Sequence, residues 1–364
     1  MISSRLYYPI YFLIITIATI STRVGSPLKS KTSGGKSGST FAATLLCVFL
    51  VLFIGFRPAG RIFTDMSNYY LAWQRNLNEP FSFHFNTTNI IFDNLFLAMS
   101  SAGLSITTFY LLMAMIYFSC MLKACKKMFP AQTLFAFLVC LAAFSTLSYA
   151  TNGIKAGVAA SIFLLAIAYQ KKLLLSIVFA ALSYGFHHSM ELPIIAFYAV
   201  RLFKNPKYYF YFWVLCLIIS LLHIQSFMNF FASLGDEQSA VYLVDTGEDW
   251  FGGGGFRIDF VIYSFIPILI GIVLINKYRV SDKGYICLLN TYTLCNAVWL
   301  LCMYAAFTNR IAYLSWLMYP IVLIYPFLKL KINVRQFVTV KNIAYMHLLF
   351  SLFMFFVYYG STYR

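Results

Sequence analysis

The stretch FAATLLCVFLVLFIGF, residues 41–56, decides the fold of this chain, because it is strongly apolar and contains no charged residue. A helix needs about 20 apolar residues to cross the hydrocarbon core of a bilayer, and it pairs its backbone amides within itself. Basic residues flank the stretch, with Lys36 shortly before it and Arg57 directly after it. The pattern is typical of a membrane-spanning helix.

The rest of the chain repeats this pattern. Of its 364 residues, 61% are hydrophobic and only 10% are charged, and the mean hydropathy is +0.77. No soluble core requires so much apolar surface. We therefore predict an all-α, polytopic membrane protein of about twelve transmembrane helices, with residues 1–364 forming a single integral membrane domain. The predicted spans are 7–22, 41–56, 105–122, 131–149, 153–170, 173–187, 190–203, 208–224, 260–276, 285–307, 311–328 and 343–360.

One further apolar segment, residues 89–103, is short and carries Asp93, which predicts a re-entrant or interfacial helix on the outer side. With this segment kept on one side, successive loops alternate between basic and acidic, as expected when Lys and Arg are retained in the cytoplasm. Most of the 27 basic residues then fall inside, and both termini fall outside. In this arrangement the two long loops, 57–104 and 225–259, lie on the outer side of the membrane.

The net charge of +16 needs no nucleic-acid partner, because the excess lies in short cytoplasmic loops that contact membrane lipid. All eight cysteines lie within or at the end of predicted spans, so neither a disulfide framework nor a metal cluster is expected. The loop 225–259 is acidic and then glycine-rich. It is interpreted either as a mobile lid over a cavity or as a plain disordered loop.

Several basic residues are predicted at the outer boundary, against the inside bias, and such positions usually have a specific cause. Guanidinium groups bind phosphate oxygens in a forked geometry, so an anionic ligand such as a lipid pyrophosphate fits this cluster. In the alternative interpretation each cation pairs with a nearby acid such as Asp65, Glu79 or Asp259, or anchors a helix end. The outer cations are Arg57, Arg61, Arg75, Lys155, Arg257 and Arg310.

A pair of histidines lies at the outer end of a predicted span, in the sequence FHHSM, residues 186–190. His187 is a candidate general base for a sugar hydroxyl, because its pKa lies near the working pH. If the helix continues, Glu191 lies one turn away and His188 points away from the site. The alternative is a hydrogen-bonded packing residue. The chain lacks HExxH, GxSxG and DxD-like motifs, which favours metal-free group transfer without a cofactor.

Four patches of the sequence resemble the EpsG-like branch of the Wzy-type polysaccharide polymerases, which join lipid-linked oligosaccharide repeats. They are FRPAGRIFTDMSNYY (56–70), NGIKAGVA (152–159), FHHSM (186–190) and NRIAY (309–313). Two positions depart from the family pattern. Lys155 stands where arginine is usual, so a forked phosphate contact becomes a point charge, and Met190 replaces a small residue.

The resemblance implies a metal-independent glycosyltransferase that polymerises oligosaccharide repeats on undecaprenyl pyrophosphate at the outer, periplasmic face of the bacterial inner membrane. It implies that His187 or Asp65 takes the acceptor proton, and that arginines stabilise the pyrophosphate leaving group. The candidate catalytic residues are thus His187, Asp65 and Arg310. The candidate residues for binding substrate or pyrophosphate are Arg57, Arg61, Tyr69, Asn152, Lys155, Ser189, Arg257 and Tyr313.

Two other functions stay open at this point. One is a lipid-linked oligosaccharide flippase, which is a transporter, and the other is a membrane ligase or O-acyltransferase. A flippase would carry charged residues at mid-membrane, whereas here the charges cluster at the outer boundary. The partners are the lipid-linked oligosaccharide and membrane lipid, with a chain-length regulator left open.

Overall fold

A computed structural model of the protein describes residues 3–24, 33–59, 63, 65–223, 255–305, 308–333 and 335–362. Of these residues 79% are helical, and none of them forms a strand. The α-helices of the described residues are α1 Tyr7–Ser21, α2 Ser33–Gly55, α3 Asp65–Asn76, α4 Ile90–Ser101, α5 Ile106–Met128, α6 Thr133–Leu141, α7 Phe144–Thr151, α8 Ile154–Ala168, α9 Leu173–Phe186, α10 Glu191–Ala199, α11 Pro206–Leu221, α12 Ile258–Tyr278, α13 Lys283–Leu301, α14 Thr308–Trp316, α15 Tyr319–Lys329 and α16 Gln336–Thr362. Short 3₁₀ turns occupy Ser4–Leu6 and His188–Met190.

Several of these helices have the length and apolar character to cross a membrane, so the chain is an all-helical, multi-pass membrane protein, as predicted. In the described residues there are seven such spans, or up to eight if α6 and α7, which meet at a bend of 74°, form one broken span. The predicted count of about twelve is not confirmed. The seven are Ser4–Ser21, Gly38–Gly55, Ile106–Met128, Ile258–Tyr278, Lys283–Leu301, Thr308–Lys329 and Gln336–Val357.

The difference in count arises between residues 153 and 224, where hydropathy alone predicted four spans. The structure forms helices α8 to α11 there, of 15, 14, 9 and 16 residues. Each of these helices is shorter than the roughly 20 residues that a straight span needs, so none of them counts as a span by length. Residues 89–103 form the short helix α4 of 12 residues, followed by Gly103 at a φ of 70°. Its placement at the membrane surface stays a prediction.

The chain divides into two compact units, which we call unit 1, Met1–Met190 with Ile324–Arg364, and unit 2, Glu191–Leu323. In unit 1, α5 packs against α2 and α8, and α8 packs against α9. Glycine permits two of the closest approaches. A Cβ on Gly157 would lie 2.6 Å from the Tyr149 carbonyl, and a Cβ on Gly185 would lie 2.5 Å from Ile91. Small residues at such positions let helices pack closely in membrane proteins.

Unit 2 is organised around α13, which packs against α10, α11, α12 and α14. Buried hydrogen bonds join these helices. The Trp213 indole donates to Asn296 over 2.8 Å, and the Asn296 amide donates to Ser315 over 3.1 Å. The Tyr292 hydroxyl donates to the carbonyl of Ser264 over 2.8 Å. Such polar contacts between apolar helices fix their relative positions where water is absent.

Candidate functional site

Arg57 lies two residues after the end of α2 and is the most deeply buried of the described site cations, with 2% of its surface exposed. Its Nη1 donates to the Ile54 carbonyl (2.7 Å), and its Nη2 donates to the Met66 sulfur (3.1 Å) and to the Thr151 carbonyl (3.4 Å). The guanidinium also lies 4.8 Å from the centre of the Tyr110 ring. Arg57 thereby joins the ends of α2, α3, α5 and α7.

The charge of Arg57 is not balanced by an acid in the described part of the chain, where no carboxylate pairs with it. Its Nε is buried and makes no hydrogen bond. Burial lowers the pKa of Arg57 to about 10, because the charged form is disfavoured away from water, while nearby tyrosines act in the opposite direction. A guanidinium with this pKa is still charged at neutral pH. The site therefore contains a buried cation held by carbonyls and aromatic rings.

Two further predicted residues lie on α3. Asp65 is its first residue and is half-buried, a position where the helix dipole favours a carboxylate. Tyr69 lies one turn later, and its ring centre is 5.8 Å from that of Phe92 and 6.1 Å from that of Phe96, both on α4. Helix α3 thus packs on α4 through aromatic rings and carries Asp65 and Tyr69 at the same end of unit 1 as Arg57.

The turn between α7 and α8 positions Asn152 and Lys155. The Oδ1 of Asn152 is buried and makes no hydrogen bond. Lys155 lies in the first turn of α8, where its Nζ donates to Asp93 Oδ1 over 3.0 Å and lies 4.8 Å from the Phe92 ring centre. The Lys155 and Asp93 side chains are 22% and 28% exposed, so water still screens the pair. Lys155 therefore has an acidic partner, as the alternative interpretation of the outer cations expected.

The histidine pair lies where α9 ends. The helix stops at Phe186, and His187 is extended, with φ −154° and ψ 120°. The two rings stack with centres 4.9 Å apart and planes 24° apart, and the Ser189 N–H donates to His187 Nδ1 over 3.1 Å. The expectation that His188 points away from the site rested on a continuous helix, and this condition is not met, because α9 ends at Phe186. Glu191 begins a separate helix, α10, so the helical spacing expected between it and His187 is absent as well.

These elements meet at one end of unit 1. Asn89 lies directly before α4, and its Oδ1 accepts hydrogen bonds from the backbone N–H of His188 (3.1 Å) and from His188 Nδ1 (3.2 Å). Asp93, in the first turn of α4, accepts from Lys155. The start of α4 therefore contacts both the histidine turn and the start of α8. Arg57 contacts the neighbouring end of α7, so one region contains a buried cation, an ion pair and two imidazoles.

Three predicted residues belong to unit 2. Arg257 precedes α12 and makes a forked pair with Asp259, with Nε to Oδ1 at 2.9 Å and Nη2 to Oδ2 at 2.6 Å. Its charge is thus matched by an acid named in the alternative interpretation. Arg310 lies in the first turn of α14 and is exposed. Tyr313 is buried, with its ring centre 5.6 Å from that of Trp316.

Two parts of the prediction lie outside the described residues. Arg61 is one of them, and most of the predicted lid, residues 225–254, is the other. Of the second outer loop, the described part is the short segment from Gly255 to Asp259 at the start of α12.

Sequence reasoning missed the contributions of Asn89, Asp93 and His188. In the sequence Asp93 argues against a membrane span, and a carboxylate inside an apolar segment is also a signal that a cation lies nearby. Asn89 gave no signal, because its role depends on the turn at residues 187–190. Among the described residues, no three His, Cys, Asp or Glu side chains are grouped so that they could hold a metal ion.

Comparison with known proteins assigns the family. Searches of curated proteins and of solved structures gave no significant match. The model of the EpsG family matches residues 40–363, which covers most of the chain and includes all four patches on which the resemblance was based. The chain therefore belongs to the EpsG family, a family of membrane proteins of the Wzy-like polysaccharide polymerase type.

Proposed function

We propose that this protein is a glycosyltransferase that polymerises oligosaccharide repeats carried on undecaprenyl pyrophosphate. The family gives the coarse class, a polysaccharide polymerase-type membrane protein. The lipid carrier, the acceptor and the metal-free reaction are the parts that we add. The observation that carries the proposal is the buried guanidinium of Arg57, which has no acidic partner in the described residues and has an Nε without a hydrogen bond.

A buried cation without an acidic partner is costly, so a chain that keeps one gains something else from it. A pyrophosphate leaving group provides the missing negative charge, and it does so more strongly as the glycosidic bond breaks. Stabilisation that grows toward the transition state accelerates the reaction rather than only tightening binding. We therefore assign Arg57 to the charge that develops on the donor pyrophosphate.

The other residues at this end of unit 1 fit the same reaction. Lys155 adds a second cation, which Asp93 holds at the start of α8. A phosphate group can replace water around such a partly exposed pair. The stacked imidazoles supply a base for the attacking hydroxyl, since histidine needs no metal to accept a proton near neutral pH. Asp65, Tyr69, Asn152 and Ser189 are assigned to binding the saccharide. From the sequence patterns alone we also assign Arg310, Arg257 and Tyr313, which belong to unit 2, to binding the donor.

The location of the reaction follows from the charge pattern of the sequence. We place the Arg57 end of unit 1 at the periplasmic face of a bacterial inner membrane. The opposite helix ends carry clustered lysines, among them Lys126 and Lys127 at the end of α5, as expected for the cytoplasmic side. A lipid carrier would then present its pyrophosphate at the boundary while its tail stays in the bilayer.

The proposal is tested in a bacterial strain whose own copy of the gene is deleted. Plasmid-borne wild-type protein should convert single lipid-linked repeats into a ladder of longer glycans on a gel. The same plasmid with Arg310→Ala should give only single repeats at normal membrane levels of the protein. Loss of a charge-stabilising donor typically lowers the rate about a hundredfold to a thousandfold.

Two other results would contradict the proposal. If the deletion leaves single repeats trapped on the cytoplasmic side, the protein is a transporter. If polymers form but are not passed to their final acceptor, it is a ligase. Access of externally added glycan-modifying enzyme to the lipid-linked repeats distinguishes these outcomes.

A further inference from the structure

The turn that holds the two histidines sets the protonation of each ring. Asn89 Oδ1 accepts the backbone N–H of His188, which identifies this atom as the amide oxygen rather than the nitrogen. His188 Nδ1 lies 3.2 Å from the same oxygen. Since an oxygen of this kind only accepts, Nδ1 of His188 must carry a hydrogen. The neutral His188 ring therefore has its lone pair on Nε2.

The His187 ring is held in the opposite form. Its Nδ1 lies 3.1 Å from the backbone nitrogen of Ser189, which can only donate. Nδ1 of His187 therefore holds the lone pair, and the hydrogen of the neutral ring lies on Nε2. The bond from Ser189 occupies the lone pair that would otherwise accept a proton. His187 thus presents an N–H donor at Nε2 and is a poor base.

We propose that His188, rather than His187, is the general base of the transferase reaction, with Asn89 as the residue that positions it. The stacked rings then divide two tasks, because His188 accepts a proton at Nε2 while His187 donates a hydrogen bond from Nε2. Asn89 acts on His188 as the third member of a catalytic triad acts on its histidine, by fixing the tautomer and the orientation of the ring. This inference rests on the proposed function and assigns its proton acceptor.

The transfer step balances in atoms and charge. The acceptor sugar hydroxyl gives its proton to His188 Nε2, and its oxygen forms a bond to the anomeric carbon of the donor glycan. The bond between that carbon and the pyrophosphate oxygen breaks, and the lipid pyrophosphate leaves with the electron pair. The new negative charge on the pyrophosphate is matched by the new positive charge on His188, whose proton is later released to water. The His187 N–H can donate to a substrate oxygen during this step.

The tautomers are measured directly, without any substrate. The chain has five histidines, so ¹⁵N-histidine labelling of the purified protein gives few signals, and single substitutions assign them. His188 should show its hydrogen on Nδ1, and His187 should show its hydrogen on Nε2. Asn89→Leu should mix the His188 tautomers and leave the His187 signal in place. The opposite tautomers in the wild-type protein would overturn the proposal.

Activity variants then separate a base from a donor, because glutamine retains an N–H at the position of a histidine Nε2 but cannot take a proton. His188→Gln should lower the rate of polymerisation about a hundredfold to ten-thousandfold. His187→Gln should retain most of the rate, and His187→Ala should lose more than His187→Gln. A reversed order, with His187→Gln inactive and His188→Gln active, would overturn the assignment.

Asn89 has its own control for folding. Asn89→Asp keeps an oxygen that accepts from His188 and should restore much of the rate that Asn89→Leu loses, with kcat rather than KM affected. Equal loss in both would show that Asn89 is only a packing residue.

His84→Ala serves as a histidine control at an exposed site, where His84 contacts Ser82 over 3.0 Å. If wild-type protein forms no polymer, the proposed function fails. If it does and His188→Gln equals it, only this inference fails.

Discussion

Replacing Arg57 by methionine tests whether this buried cation serves function or stability. Methionine has a similar length and is apolar, so it can fill much of the space beside Tyr110. Removing the charge relieves the cost that lowers the Arg57 pKa from 12.5 to about 10, which corresponds to about 3 kcal/mol. The substitution therefore removes an unfavourable contribution to folding.

The same substitution also removes favourable contacts. The Thr151 carbonyl loses its donor at 3.4 Å, and the Ile54 carbonyl loses one of its two donors, which together cost about 1–2 kcal/mol. Loss of the cation over the Tyr110 ring costs about a further 1 kcal/mol. These losses offset the relief of about 3 kcal/mol. We expect the stability of Arg57→Met to lie within about 1 kcal/mol of wild type.

Polymerisation, by contrast, should fall about a hundredfold or more, because the pyrophosphate loses its buried counter-charge. Thermal unfolding in detergent and a glycan ladder from the same strain measure the two quantities. Arg75→Met, an exposed substitution of the same type in the last turn of α3, should leave both unchanged. If Arg57→Met unfolds the protein, Arg57 is a structural residue. If its ladder is normal, Arg57 takes no part in the reaction.

Three other predictions concern packing, charge and topology. Gly157→Ala should destabilise unit 1 by about 1–3 kcal/mol, because its Cβ would lie 2.6 Å from a carbonyl of α7. Gly38→Ala should not destabilise it, because the space around that Cβ is open. Equal unfolding temperatures for the two variants would contradict this packing. Arg310→Lys should restore part of the ladder lost in Arg310→Ala if charge alone suffices, and no ladder would show that the guanidinium fork is needed. In a variant without its native cysteines, Ser33→Cys should be labelled only from the cytoplasm and Ser239→Cys only from the periplasm. Labelling of both from one side would refute the topology.

The fold class could be predicted from composition because a bilayer permits few solutions for such apolar stretches. The ends of the helices could not be predicted in the same way. Between residues 153 and 224 the apolar segments were recognised, but hydropathy does not show that their helices are only 9 to 16 residues long, and the break at His187 gives no strong signal. That break decides which way each imidazole points.

The residue types of the site were predicted better than their partners. Arg57 stood out because it follows an apolar span, yet its burial depends on α3, α5 and α7 closing around it. Lys155 was recognised as an outer cation, but its pairing with Asp93 depends on the packing of α4 near α8. Hydrogen bonds such as that between Asn89 and His188 join residues far apart in the chain, and sequence spacing carries no information about them.

Reconstitution of the purified protein in liposomes with a lipid-linked repeat and excess EDTA tests the central claim most directly. We predict glycans of increasing length on the lipid, with one undecaprenyl pyrophosphate released for each linkage formed, and growth slower by about a hundredfold or more with Arg57→Met. Chain growth that requires an added divalent metal, or movement of the repeat across the bilayer without growth, would contradict the claim.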